Sequence, residues 1–326
     1  MSELALAAYA AANDAHAVDG STRSGRFAAF RRGFDEAAYR GDLCRRGLRW
    51  LGRSEAGFPA RLRSIHDPPP GLFLRGSAAP ELLSQVGVAV VGARACSEYG
   101  AHVARRLGAG LAAAGVVVVS GLARGVDAWA HRGALDEGGV TVAVLGCGID
   151  RDYPRAHAAL AARIAETGLI VSEYPPGVAP APWRFPARNR IVAGLSVATV
   201  VVEARERSGA LITADLALEE GREVLAVPGE ITSGLSDGTN ALLRLGATVV
   251  TSAADVLEAI GVEPPAPEPP PVSTTAATVL AALAAGASTA DEIARATGLD
   301  AATAAAALTE LELARIIRAS GGVYRR

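Results

Sequence analysis

The sequence predicts an α/β protein built on a doubly wound parallel sheet, with a smaller piece of chain on either side. Three observations predict it. Short β-branched runs recur at Val86–Val91, Val116–Ser120, Thr141–Leu145, Leu169–Val171, Ala198–Val202, Glu223–Val227 and Thr248–Thr251. Each is followed by roughly ten to fifteen helix-compatible residues, the spacing of βαβ units. The runs are apolar almost throughout, without in/out alternation, as strands are when helices cover both faces of a parallel sheet.

The flanking segments follow in order. Residues 1–75 contain helical stretches and 12 arginines against eight acids, and they read as a small, mostly helical domain. The Asp67-Pro68-Pro69-Pro70-Gly71 run closes that segment, because no helix continues through it. The doubly wound domain then occupies 76–260. Residues 261–275 hold six prolines and read as a semi-rigid spacer. In 276–326, a helix at about 276–285 precedes Thr289 and Glu292, which are spaced for a capping box. That second helix ends at Gly298, and Asp300 can cap a third running to about Ala314. Ile316-Ile317-Arg318 and Val323-Tyr324-Arg325 flank Ser320-Gly321-Gly322, a hairpin signal. Three helices and a hairpin predict a winged helix-turn-helix.

Composition removes several chemistries. All 32 basic side chains are arginine, and lysine is absent. A P-loop and Schiff-base or pyridoxal-phosphate catalysis each need a lysine and are excluded. Cys44, Cys96 and Cys147 lie far apart with no C-x-x-C, as suits reduced thiols. The five histidines (16, 66, 102, 131 and 157) show no metal-ligand spacing. With no signal-peptide pattern and no long uncharged apolar run, the chain reads as soluble and cytoplasmic, without a membrane partner. No metal and no cofactor are expected.

Ligands of open α/β sheets bind beyond the carboxyl ends of the strands, where helix N-termini offer free N–H groups. After the first run, Gly92 permits close approach to the backbone, Arg94 supplies a cation and Ser97 is placed to cap the next helix. After the second come Gly121, Arg124 and Gly125, then Asp127 and His131, spaced to pair across one helical turn. Gly146-Cys147-Gly148 after the third is not a dinucleotide fingerprint, since Arg151 stands where Gly or Ala is needed. After the fourth, Trp183-Arg184-Phe185-Pro186-Ala187-Arg188-Asn189-Arg190 is the densest cationic-aromatic cluster in the chain. Arginines pair with phosphates and aromatics stack on bases, a combination that serves single-stranded nucleic acid. The competing reading seats Trp183 and Phe185 in the core and pairs one arginine with Glu173 or Glu203. After the fifth, Ser208 and Gly209 open another helix toward the same edge.

The motifs VGAR at 91–94, SGLARGVD-x-x-AH at 120–131, YP at 153–154, SEYPPG at 172–177, FPARNRI at 185–191, SGALITA at 208–214 and VPG at 227–229 resemble the DNA-processing protein A (DprA, or Smf) family over about residues 58–260. The resemblance implies a Rossmann-like domain that binds single-stranded DNA, dimerises and loads the RecA recombinase onto incoming DNA in natural transformation. It implies no enzymatic activity. Arg94 matches the family's phosphate-contacting arginine, Phe185 its base-contacting aromatic, and Arg188, Asn189 and Arg190 its R-N-R. Some members use a lysine near that aromatic, and Arg184 is placed to substitute for it.

A different class of function is a nucleotide-sensing or nucleotide-hydrolysing enzyme of the lysine-decarboxylase-like kind. Its P-G-G-x-G-T-x-x-E signature is missing, for the comparable stretch reads Pro228-Gly229-Glu230-Ile231. Duplex reading by the winged tail is a third idea. Residues 300–314 offer Asp300, Thr303, Thr309, Glu310 and Glu312 but no arginine, whereas major-groove readers need donors. The tail is therefore expected to contact protein or to position the rest of the chain.

Overall fold

The computed structural model describes residues 2–13, 25–263, 272–314, 316–320 and 322–325. His16, the centre of the proline-rich spacer (264–271) and Gly321 of the expected hairpin turn lie outside them. The chain divides into two compact units, Met1–Pro264 and Pro265–Arg326.

In the first unit, seven adjacent parallel strands make up most of a nine-stranded sheet. They are β3 (Gly87–Val91), β4 (Val117–Ser120), β5 (Thr141–Val144), β6 (Leu169–Ser172), β7 (Ala198–Val201), β8 (Glu223–Ala226) and β9 (Thr248–Val249). Each falls on one of the seven β-branched runs. Two further strands come from the first 75 residues: β1 (Arg49–Gly52) and β2 (Gly71–Arg75). They pair antiparallel with each other, and β2 pairs antiparallel with β6. The order is β1-β2-β6-β5-β4-β3-β7-β8-β9, so the connection direction reverses between β3 and β7.

Segment 1–75, expected as a separate helical domain, thus contributes to the main sheet as well as supplying α1 (Glu3–Ala12), α2 (Gly25–Gly33), α3 (Glu36–Arg45) and the single turn α4 (Ala60–Arg63). Leu4, Leu43 and Trp50 share a core with Phe73 of β2 and Ile170 of β6, which anchors this segment to the sheet. Arg49 and Trp50 beside Gly52 give β1 little strand signature, and its pairing partner lies beyond three prolines.

Helices cover both faces. They are α5 (Glu98–Ala113), α6 (Val126–Asp136), α7 (Ala158–Thr167), α8 (Arg184–Leu195), α9 (Gly209–Glu219), α10 (Asp237–Arg244) and α11 (Ala253–Ala259). Alternate side chains of β3 go to opposite cores. Val88 and Val90 pack with Leu107 and Leu111 of α5, Ala130 of α6 and Val256 of α11. Ala89 and Val91 pack with Ile191 and Val192 of α8 and Ala214 of α9. Strands buried on both faces explain the unbroken apolar runs, and each fully buried Val or Leu contributes about 1.5–3 kcal/mol.

In the second unit, α12 (Thr274–Ala284), α13 (Ala290–Thr297) and α14 (Ala301–Leu313) pack around Val279, Ile293, Leu308 and Leu311. The Thr289–Glu292 capping box is formed, Gly298 ends α13 at φ 71°, and Asp300 caps α14 through Ala302 and Thr303 N–H. Strands β10 (Arg318–Ser320) and β11 (Val323–Arg325) make the antiparallel wing.

Candidate nucleic-acid interface

Loops from the carboxyl ends of β3 to β6 surround a cleft of about 1140 Å³. Arg94, Gly121, Arg124, Tyr153, Phe185 and Arg188 are among the residues that line it. A smaller pocket of about 150 Å³ adjoins it, shares Arg94, Gly121, Phe185 and Arg188, and extends to Gly92, Asn189, Ser208 and Gly209. Nine of the sequence-derived candidates therefore converge on one site.

Phe185 sits at the second position of α8, followed by Pro186, which a helix tolerates in its first turn. The Arg94 guanidinium lies 5.3 Å from the Phe185 ring centroid, and the Tyr153 ring stacks on Phe185 at 5.3 Å and 29°. Arg94 and Tyr153 are exposed, while Phe185 is half-buried. A cation and two rings are thus stacked at the cleft wall, offering a charge for phosphate and flat faces for bases. Gly146 is glycine for this reason: a Cβ there would come within 2.9 Å of the Phe185 ring.

The floor is set by Arg188, only 4% exposed. Its Nη1 donates to Gly121 O at 2.8 Å and to Val144 O, while its Nε has no partner. Gly121 makes room for it, because a Cβ there would lie 2.4 Å from the guanidinium. Asp127 accepts from Gly121 N–H at 3.1 Å and Ala123 N–H at 3.2 Å. Burial pushes the Asp127 carboxyl up, and the Arg188 charge opposes that shift. Burial also pushes the Arg188 guanidinium down, opposed by Asp127. The expected Asp127–His131 pair is absent. His131 Nδ1 instead meets Thr141 Oγ1 at 2.7 Å, and burial pushes the imidazole down to about 3, so the ring is neutral.

Four candidates have other duties. Arg190 is buried in a network, its Nη1 and Nη2 donating to the Glu173 carboxylate at 3.0 and 2.7 Å and its Nε to Asp67 at 2.9 Å. That geometry takes Arg190 away from the cleft lining, and the competing Glu173 pairing is the one observed. Arg184 is likewise buried, donating to Ala179 O and packing against the Tyr174 and Trp183 rings at 5.1 and 5.0 Å, away from the cleft lining. It does not replace a lysine beside Phe185. Ser97 caps α5 by accepting from Gly100 N–H at 3.1 Å, and its own N–H and O–H donate to Glu203. Gly125 has φ 74°, and a Cβ would strike Ala93 O at 2.2 Å, so it serves contact between the first two loops.

Gly92 also has a packing reason, since a Cβ would meet Val126 Cγ2 at 2.7 Å. Asn189 Nδ2 donates to Gly209 O at 3.1 Å, tying α8 to the start of α9, where Ser208 Oγ accepts from Ala210 N–H. Arg151, Tyr153 and Arg155, which carry no ligand expectation from the sequence, also line the cleft. The Asp-Tyr-Pro stretch was visible, but nothing local showed that the loop after β5 folds back beside Phe185.

A doubly wound sheet with an arginine-and-aromatic cleft at its strand ends, followed by a winged helix, defines a Rossmann-like protein shaped for a ligand bearing both phosphates and bases. Comparison with known proteins is specific. The model of the DNA recombination-mediator protein A family matches residues 49–261, and that of the DprA winged helix domain matches 262–322. A putative DNA processing protein DprA of Mycobacterium tuberculosis is 46% identical over 279 residues, covering 83% of this chain and 72% of that one. DNA processing protein DprA of Streptococcus pneumoniae is 49% identical over 200 residues, 61% and 70% of the two chains. A crystal structure of the Streptococcus pneumoniae protein superimposes with a TM-score of 0.66 at 40% identity, covering 78% of this chain and 91% of that one. A structure of DNA processing protein A from Helicobacter pylori, described for its single-stranded DNA binding mode, has a TM-score of 0.59 at 32% identity, covering 65% and 95%. The chain belongs to the DNA recombination-mediator protein A (DprA) family.

Proposed function

We propose that this chain binds single-stranded DNA in the cleft and acts as a non-enzymatic recombination mediator, as a homodimer that delivers the strand to a RecA-type recombinase in the cytoplasm. The observation that carries the binding reading is the Arg94–Phe185–Tyr153 stack, with Arg124 and Arg155 exposed at the same rim. Guanidinium groups hold phosphates in a sequence-independent way, and rings stack on any base. The Helicobacter pylori relative, described for binding single-stranded DNA, supports the ligand class. The rim carboxylates support a binding role rather than a hydrolytic one. Asp150 is held by Arg46 at 3.0 Å and Asp152 by Arg75 at 2.5 Å. Among the described residues no group of three potential metal ligands occurs, and no helix is long and apolar enough to cross a membrane.

Fluorescence anisotropy with labelled oligo-dT tests the assignment. Phe185→Ala is expected to weaken binding about ten-fold, from a stacking contribution of roughly 1–3 kcal/mol per base, with the salt dependence nearly unchanged. Unaltered affinity in a folded variant would remove Phe185 from the interface.

The winged unit reads as a positioning or protein-contact module. On α14, Asp300 is used in capping, Thr309 donates to Ala305 O, and Glu310 accepts from Ser273. A helix with these groups committed and no arginine lacks major-groove donors. Unlabelled duplex of equal length is expected not to displace oligo-dT from the full chain at physiological salt. Efficient displacement would overturn this reading of the tail.

A further inference from the structure

We propose that Glu203 is an internal stand-in for a phosphate: its carboxylate occupies the anion seat at the N-terminus of α5 and keeps nucleoside di- and triphosphates out of the crevice between β3 and β7. In doubly wound sheets this crevice, where the strand order reverses, holds nucleotide phosphates against the first helix of the fold. Here the reversal lies between β3 and β7, and the helix after β3 is α5.

The seat is filled by the chain itself. Glu203 follows β7, and its carboxylate crosses to the loop after β3. Its Oε2 accepts Ser97 N–H at 2.9 Å and its Oε1 accepts the Ser97 hydroxyl at 2.5 Å. The residue is 4% exposed, so these bonds are sheltered from water. Its main chain is fixed as well, since Ala93 N–H donates to Glu203 O at 2.7 Å. Gly100 shows how closely the carboxylate is seated: a Cβ there would lie 2.3 Å from Oε2. Gly100 is the third residue of α5, the place where a capping box carries Glu or Gln to bond the cap's own N–H. Glu203 supplies that carboxylate from 106 positions away.

Two neighbours register its charge. The Cys96 thiol and the Tyr99 phenol are both pushed up, by burial first and by the negative charge of Glu203 second. A pyrophosphate would need the same donors and would meet a carboxylate already on them. Glu203 therefore acts as a specificity-determining residue. It closes the crevice to mononucleotides at the N-terminus of α5.

Thermal unfolding in millimolar sodium phosphate or ADP, against sodium chloride at matched ionic strength, reads the seat without any DNA. Failure here would leave the DNA reading standing, and failure of oligo-dT binding would leave this proposal standing. The wild-type chain gives the baseline, which includes phosphate or ADP held by the exposed arginines of the cleft. Glu203→Ala empties the seat, melts lower, and is restored by phosphate or ADP through a saturable rise of roughly 2–4 °C. Glu203→Asp withdraws the carboxylate by one methylene and shows a smaller rise, so it decides the matter if the alanine variant does not fold. A folded variant that responds to phosphate no more than wild type overturns the proposal.

Discussion

Arg94→Ala is expected to weaken oligonucleotide binding about ten-fold or more, by a similar factor for every base composition. Hydrogen bonds to charged groups are worth roughly 1.5–3 kcal/mol, and a phosphate contact carries no sequence information. Losing one such contact should also lower the slope of log affinity against log salt by about 0.7 for a single strand. The exposed guanidinium beside Phe185 is placed to make that contact at the wall of the cleft. Anisotropy titrations of oligo-dT and oligo-dC at two salt concentrations measure both effects. An unchanged slope with full affinity would remove Arg94 from the phosphate path. A loss confined to one base would make it a base reader.

Arg190→Ala is expected to act on stability instead. The Arg190 side chain is 8% exposed and that of Glu173 3%, and the pair is bidentate. Deleting one member of a buried pair leaves the other charge unpaired, at a cost of about 3–5 kcal/mol. That is a large share of the roughly 5–15 kcal/mol by which domains are stable. The melting temperature should fall by about 6 °C or more. Replacing both Arg190 and Glu173 with apolar residues of similar volume should recover much of the loss, since the buried Glu173 charge is then gone and only the more exposed Asp67 loses its Arg190 contact. A melting temperature within a degree or two of wild type in Arg190→Ala would contradict the structural role. So would selective loss of DNA binding at full stability.

The three arginines of α8 show what sequence could and could not deliver. Arg184, Arg188 and Arg190 lie within seven positions and look like one basic patch. On a helix, residues four apart share a side, whereas residues two apart point nearly opposite ways. Arg188 and Arg190 accordingly diverge, one to the cleft floor and the other to Glu173 and Asp67. Arg184 stays on the side of Arg188 but is taken up by Tyr174 and Trp183 before it reaches the cleft. Charge density along the chain singles out α8 and does not tell which of its arginines reaches the cleft.

The parallel sheet was legible because burial on both faces writes itself into every strand as an unbroken apolar run. Strands β1 and β2 were not legible as part of the same sheet. They are short, one begins with Arg49, and their membership depends on pairing with β6, nearly a hundred residues downstream. Glycines were ambiguous for a related reason. Gly92 permits close approach of a ligand, yet Gly92, Gly121 and Gly125 each make room for a neighbour: Val126, Arg188 and Ala93 in turn. Sequence shows that a side chain is missing, and only the fold shows what fills the space.

Single-stranded DNA is expected to lie in the cleft walled by Arg94, Tyr153 and Phe185. Photo-crosslinking of the full chain to an oligonucleotide carrying 5-iododeoxyuridine, followed by peptide mapping, tests it most directly. Adducts are expected on Tyr153 and Phe185, and they should disappear in the presence of excess unlabelled oligo-dT. Adducts confined to the winged unit, or to α1–α3, with none on the cleft would contradict the account.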